Sequence, residues 1–166
     1  MKVAVKDANI LIDLVEGDLL GLWFRLGIET HVPDLVLAEI RIPDQRRVVQ
    51  AMVEAGNLLV GTFDGNELAV LQEYKTEFRI SLPDASAIVL AERMQATLRS
   101  GDKLVRIAGR KLQLDVRGLL WIFDELIRRE FLSTRDAVVR LTRVREAGAR
   151  LPEAEFRERL DRWGKS

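Results

Sequence analysis

Five short aliphatic or β-branched runs alternate with helical patterns along the 166 residues, and this alternation restricts the fold more than any other feature. The strand-like runs fall at residues 2–6, 28–32, 58–63, 96–100 and 112–117. Between them, apolar spacing predicts helices over 9–16, 19–26, 34–41, 44–55, 66–78, 84–95, 103–111 and 119–131. Gly17 splits the first two, Pro33 and Pro43 precede the next two, and Gly56 stops the helix over 44–55. Strands separated by helices imply a parallel sheet covered on both faces. Right-handed crossovers then make the α/β fold doubly wound. After Phe131 the pattern becomes helix on helix: Ser133 and Thr134 can cap a helix over 135–146, Gly148 ends it, and Pro152 opens a last helix over 153–163. One domain is expected, with residues 1–131 as the α/β unit and 132–166 as its C-terminal helical appendage.

Composition removes several chemistries. The chain has no Cys and a single histidine, His31, so thiolate nucleophiles, disulfides, Cys-zinc sites and His-rich zinc sites are excluded. Nothing around His31 suggests a Ser-His-Asp triad; it ends a strand before Pro33 and reads as structural. The N-terminus lacks the apolar stretch of a signal peptide, and no run approaches the roughly 20 apolar residues of a membrane span, so no membrane association and a cytoplasmic location are expected. Net charge is zero but unevenly distributed. Residues 1–83 hold 8 Lys/Arg against 13 Asp/Glu, and the remainder hold 18 against 13. An acidic half joined to a basic half suits a carboxylate metal site beside a phosphate-binding surface, although solvated Arg/Glu helix faces give the same balance.

Open parallel sheets bind ligands outside the carboxyl ends of their strands. Asp7 follows the first run and Asp102 the fourth; Asp84 opens a helix after Pro83, and Glu39 lies on the helix after Pro33. Each has an ordinary reading taken alone. Asp84 suits a helix N-terminus, Asp102 suits a turn after Gly101, and Glu39 suits a solvated helix face, though it follows the apolar Leu35-Val36-Leu37-Ala38. Asp7 resists dismissal, because it stands between a buried strand and the apolar helix carrying Ile10, Leu11, Ile12, Leu14 and Val15. Converging carboxylates repel unless a cation neutralises them. Oxygen ligands without His or Cys favour Mg²⁺ or Mn²⁺, which activate water and stabilise charge on phosphate oxygens.

These residues also carry a family resemblance. Lys6-Asp7-Ala8-Asn9-Ile10-Leu11-Ile12-Asp13-Leu14 resembles the opening motif of PIN domains, and Pro33-Asp34-Leu35-Val36-Leu37-Ala38-Glu39 resembles their second. Asp84-Ala85-Ser86-Ala87 resembles the third, Ser100-Gly101-Asp102 the fourth, and Arg117-Gly118-Leu119-Leu120-Trp121-Ile122 the start of the helix that follows. The resemblance covers residues 1–131; the last helices are similar to those of a subgroup encoded beside small antitoxins. It implies a three-layer α/β/α fold with strand order 3-2-1-4-5 and Mg²⁺- or Mn²⁺-dependent RNA cleavage, often as the toxin of a toxin–antitoxin pair. An RNA substrate, an antitoxin protein partner and a homodimer are implied with it. By the same resemblance Asp7, Asp84 and Asp102 are metal ligands, Glu39 is a ligand or orients the water, and Asn9 and Ser100 support them by hydrogen bonds.

One departure stands out. Many relatives carry a further carboxylate shortly after the fourth motif, whereas here Leu104, Val105 and Arg106 follow Lys103. Basic residues expected near the mouth are Lys6, Lys103, Arg106 and Arg110, the last three sharing one helix face. They either neutralise RNA phosphates or form a solvated face. Trp23, Trp121 and Trp163 sit in apolar helical patterns and read as core or interface. Competing folds fit less well. A haloacid-dehalogenase-type phosphatase needs Asp where Asn9 stands; a receiver domain needs an acidic pair where Lys6 precedes Asp7; a dinucleotide-binding domain needs a Gly-x-Gly-x-x-Gly that is missing. The rival function is an RNA- or protein-binding module with little or no cleavage.

Overall fold

The structure, a computed structural model, describes residues 3–165; Lys2, expected to open the first strand, lies outside them. Five strands form one parallel sheet: β1 (Val3–Lys6), β2 (Glu29–Pro33), β3 (Leu58–Gly61), β4 (Thr97–Arg99) and β5 (Val116–Arg117). Their order is β3-β2-β1-β4-β5, as expected. The central strand pairs Ala4 with Thr30 on one side and Thr97 on the other.

Ten helices follow in chain order among the described residues: α1 (Ala8–Glu16), α2 (Leu20–Arg25), α3 (Asp34–Glu39), α4 (Pro43–Glu54), α5 (Gly65–Phe78), α6 (Leu82–Met94), α7 (Lys103–Lys111), α8 (Leu119–Arg128), α9 (Thr134–Glu146) and α10 (Glu153–Gly164). Local chemistry sets several of their ends. Asp64 and Glu67 form a capping box at α5, while Ser81 and Ser133 accept the amides of Asp84 and Asp136 at α6 and α9. Helix α3 is shorter than its pattern suggested. Ile40 and Ile42 are already extended, and Ile42 precedes Pro43, whose ring disfavours helical backbone at the residue before it. The fifth strand is also short. Gln113 adopts a left-handed conformation, so Leu112 and Leu114 belong to the turn after α7.

Successive strand residues point to opposite faces, and the two faces have separate cores. Ala4 joins a cluster with Ile10, Leu14, Trp23, Val32 and Phe123 under α1, α2 and α8. Val5 joins Leu71, Ile88, Leu90 and Val105 under α5, α6 and α7. The sheet is therefore the middle of three layers. The two last helices help fill the first core: Ala137, Leu141 and Val144 of α9 and Phe156 and Trp163 of α10 are buried there. The Trp163 ring lies 5.8 Å from that of Phe123. Gly17, which ends α1, lets α9 approach closely, since a Cβ there would stand 2.7 Å from Val144 Cγ2. His31 is structural, its Nε2 lying 2.7 Å from Glu29 Oε1 within β2. None of the described helices is long and apolar enough to cross a membrane.

Candidate active site

The strand order reverses between β1 and β4, and the carboxyl ends of those neighbours carry the residues that the motifs singled out. Asp7 leaves β1 and caps α1, its Oδ1 accepting the Ile10 amide at 2.9 Å. Its Oδ2 is buried and has no hydrogen-bond partner among the described residues. Asp102 repeats the arrangement after β4: it caps α7 and accepts the Val105 amide at 3.0 Å. Ser100 stands between them. Its fully buried hydroxyl accepts the Asp102 amide at 3.1 Å and also acts on the Asp7 carboxyl.

Asp84 lies in the first turn of α6, which packs on β1 and β2. Glu39 is the last residue of α3 and is exposed. Asn9 is exposed on α1 and lines a cleft with Asp13, Gly101 and Asp102. It makes no side-chain hydrogen bond to Asp7, so it sits on the rim and does not brace the carboxylate.

The electrostatics link these acids. Burial pushes Asp7 up to about 7, and the charge of Asp84 adds to the rise; Ser100, the Ile10 amide and Lys6 pull it back. Burial raises Asp84, aided by Asp102 and opposed by Ser81. Burial also raises Glu39, aided by Asp84 and opposed by Arg41. A fifth acid belongs to the group. Asp13 of α1 is pushed up to about 7, first by burial and then by Asp7 and Glu16. Asp13 lies inside the first motif, where the family resemblance assigns it no role. Two signals were available: it stands four residues after Asn9 on the same helix face, and it interrupts an apolar run between Ile12 and Leu14.

Among the described residues, no three Asp, Glu or His side chains stand close enough to form a ready cage for an ion. The donors nevertheless suit a hard divalent cation. They are oxygen alone, they are held at mutually unfavourable distances, and Asp7 offers a buried oxygen that nothing satisfies. Each capping aspartate uses one oxygen for its helix and keeps the other free of that bond.

Lys6 requires a correction. It shares strand parity with Ala4, so its side chain enters the first core and not the mouth. It is fully buried, its Nζ lies 3.3 Å from the centroid of the Trp23 ring, and no hydrogen bond from the described residues reaches it. Burial holds its pKa well below the ordinary lysine value, and neighbouring Arg99 adds to the effect. It cannot meet RNA. Lys103 and Arg110 are exposed on α7, and Arg106 is half-buried against a second cleft. Arg110 is eight residues beyond Asp102, roughly 12 Å along the helix. Trp23 and Trp163 are buried, as their patterns suggested, while Trp121 is half-buried with Arg99 stacked 3.9 Å from its centroid.

The PIN-domain family model matches residues 3–165, and the chain belongs to the PIN-domain family, whose members are generally nucleases. No curated protein matches. Three solved structures resemble it at low identity. PAE2754 of Pyrobaculum aerophilum is 16% identical over 64% of this chain and 86% of its own, with a TM-score of 0.48. VapBC2 of Rickettsia felis, bound to a DNA fragment from their promoter, is 16% identical over 70% and 98%, with a TM-score of 0.49. FitAcB of Neisseria gonorrhoeae is 14% identical over 68% and 95%, with a TM-score of 0.43.

Proposed function

We propose that the protein is a Mg²⁺- or Mn²⁺-dependent endoribonuclease and the toxin of a toxin–antitoxin pair, with a small antitoxin protein as its partner. The observation that carries the nuclease reading is the buried, unpartnered Oδ2 of Asp7, set among like charges from Asp84 and Asp13. Such an arrangement is costly without a counter-charge. When bound, the divalent ion supplies an activated water and stabilises charge on the phosphate oxygens.

In this reading Asp7, Asp84 and Asp102 hold the ion, and Glu39, exposed beside Asp84, orients the attacking water. Ser100 fixes both capping aspartates, while Asn9 shapes the rim. Lys103 and Arg106 hold RNA phosphates at the start of α7, and Arg110 meets the strand further along. The toxin and antitoxin parts of the reading rest on family resemblance.

The test is cleavage of a mixed RNA pool by the purified chain with Mn²⁺, Mg²⁺ or EDTA, alongside Asp7→Asn and Asp84→Asn variants. Metal-dependent cleavage lost in both variants supports the proposal. RNA binding without any cleavage in Mn²⁺ would identify a binding module instead. Cleavage that survives in both variants would remove the proposed site.

A further inference from the structure

Two clefts, both lined by Asp13, share a wall. One, of about 370 Å³, is lined by Asn9, Asp13, Gly101, Asp102 and Arg150 among others. The other, of about 210 Å³, continues past Asp13, Gly101 and Arg150 to Arg106 and Trp121. Asp13, Gly101 and Arg150 form the shared wall, and Arg150 belongs to the turn between α9 and α10. Gly148 bends that turn with φ +110°, a conformation that L side chains rarely adopt, and Pro152 stands in extended conformation at the cap of α10. The turn lies against the end of β4, where a Cβ on Gly101 would stand 3.9 Å from the Arg150 carbonyl oxygen. A segment some fifty residues downstream in sequence thus borders the Ser100-Gly101-Asp102 motif.

The arginines lining the second cleft divide into two kinds. Arg117 is paired with Asp115 at 2.9 Å and Arg159 with Asp124 at 2.7 Å. Arg106 and Arg150 form no ion pair among the described residues. Neither closes onto Asp13, which lines both clefts, nor onto exposed Glu155 at the outer end. Arginines and acids therefore line the same clefts without pairing with one another. A phosphodiester chain joined to a divalent ion complements such a cleft, because the ion answers the acids and the phosphates answer the arginines.

We propose that the α9–α10 turn is the second wall of an RNA-binding cleft, in which Arg150 and Arg106 hold the phosphates flanking the one that is cut. This inference rests on the nuclease reading above. The arginines act on binding of the strand, and the bond-breaking step belongs to the acids.

The experiment measures affinity for a single-stranded RNA oligonucleotide over a salt series, in an Asp7→Asn background that prevents cleavage. Arg150→Ala and Arg106→Ala are expected to weaken binding roughly threefold to tenfold each and to lower the slope of log affinity against log salt by about 0.7 each. Arg150→Lys should keep the slope, which separates lost charge from lost packing. Arg47→Ala, at an exposed position of α4 that lines neither cleft, should change neither quantity. With the Asp7 carboxylate intact, Arg150→Ala should raise KM with kcat changed less than about twofold. Wild-type cleavage with affinity and slope unaltered by Arg150→Ala overturns this inference and leaves the nuclease reading standing. No RNA affinity and no metal-dependent cleavage by the wild type overturns both.

Discussion

The ammonium group of Lys6 lies over the ring of Trp23, 3.3 Å from its centroid, at the buried end of β1. The indole N–H is engaged elsewhere, donating to Thr30 Oγ1 at 2.8 Å, and Thr30 in turn donates to the Ile28 carbonyl. Only the ring face is left for Lys6. A cation–π contact of this kind contributes about 2 kcal/mol when desolvated, against a desolvation cost of several kcal/mol for an ammonium. Lys6→Met should therefore raise stability in urea unfolding by about 1 kcal/mol. It should also leave the salt dependence of RNA binding unchanged. A loss of more than about 2 kcal/mol would mean that the attraction between Lys6 and Asp7 outweighs the cost of burying the ammonium.

Asp7 and Asp13 give the metal-free protein a definite pH response. Both carboxyls are pushed up to about 7 from an ordinary value of 3.8. Below the ordinary value they are protonated in folded and unfolded chains alike and contribute nothing. Between 3.8 and about 7 the unfolded chain releases protons that the folded chain retains, so stability falls as pH rises; above that window the loss is complete. The fall should be several kcal/mol, at about 1.4 kcal/mol per pH unit for each group, read as a lower Tm at about pH 8 than at about pH 5 in EDTA. Mn²⁺ favours the charged forms and should shrink the difference. Asp7→Asn should flatten the EDTA curve, and an equal slope in that variant would rule out Asp7 as its source.

Gly17 reports on the docking of α9 against α1. Gly17→Ala would bring a methyl group to 2.7 Å from Val144 Cγ2 and 2.9 Å from Leu19 Cδ1. The branched valine has little room to turn, so a loss of about 1–3 kcal/mol is expected. Val144→Ala in the same chain should recover part of it. An additive double variant would show that the two residues are not in contact.

Trp163 tests whether α10 is part of the fold's core. It is 4% exposed and packs beside Phe123. Trp163→Ala should cost about 3–5 kcal/mol, with one cooperative transition shared by fluorescence of the remaining tryptophans and circular dichroism. Two separate transitions would mean that α9 and α10 unfold independently of the sheet.

The strands and most of the helices could be read from the sequence because apolar periodicity is a local signal, and α7 matches its expected bounds; the order of the strands was implied only by the PIN-domain resemblance. The acids at the strand ends were legible for a related reason: Asp7 and Asp102 are conspicuous where a chain leaves a buried strand. Lys6 misled because adjacency to Asp7 suggested the mouth, whereas alternation along β1 sends the next residue's side chain to the opposite face. Counting parity from Ala4 would have placed it. Arg150 carried no local signal at all. Its place beside Gly101 comes from the way α9 and α10 fold back over the first core, a relationship between distant segments that no window of sequence contains.

Each capping aspartate spends one oxygen on its helix and keeps the other free of that bond, and this division has a genetic consequence. Asparagine caps a helix about as well as aspartate, so at position 7 it would retain the bond to Ile10 while removing a buried charge. Aspartate and asparagine codons differ by one nucleotide. A single base change could thus silence the site and leave a chain that folds at least as well, whereas alanine would forfeit the cap. Inactive descendants of such a gene should carry Asn at this position more often than Ala.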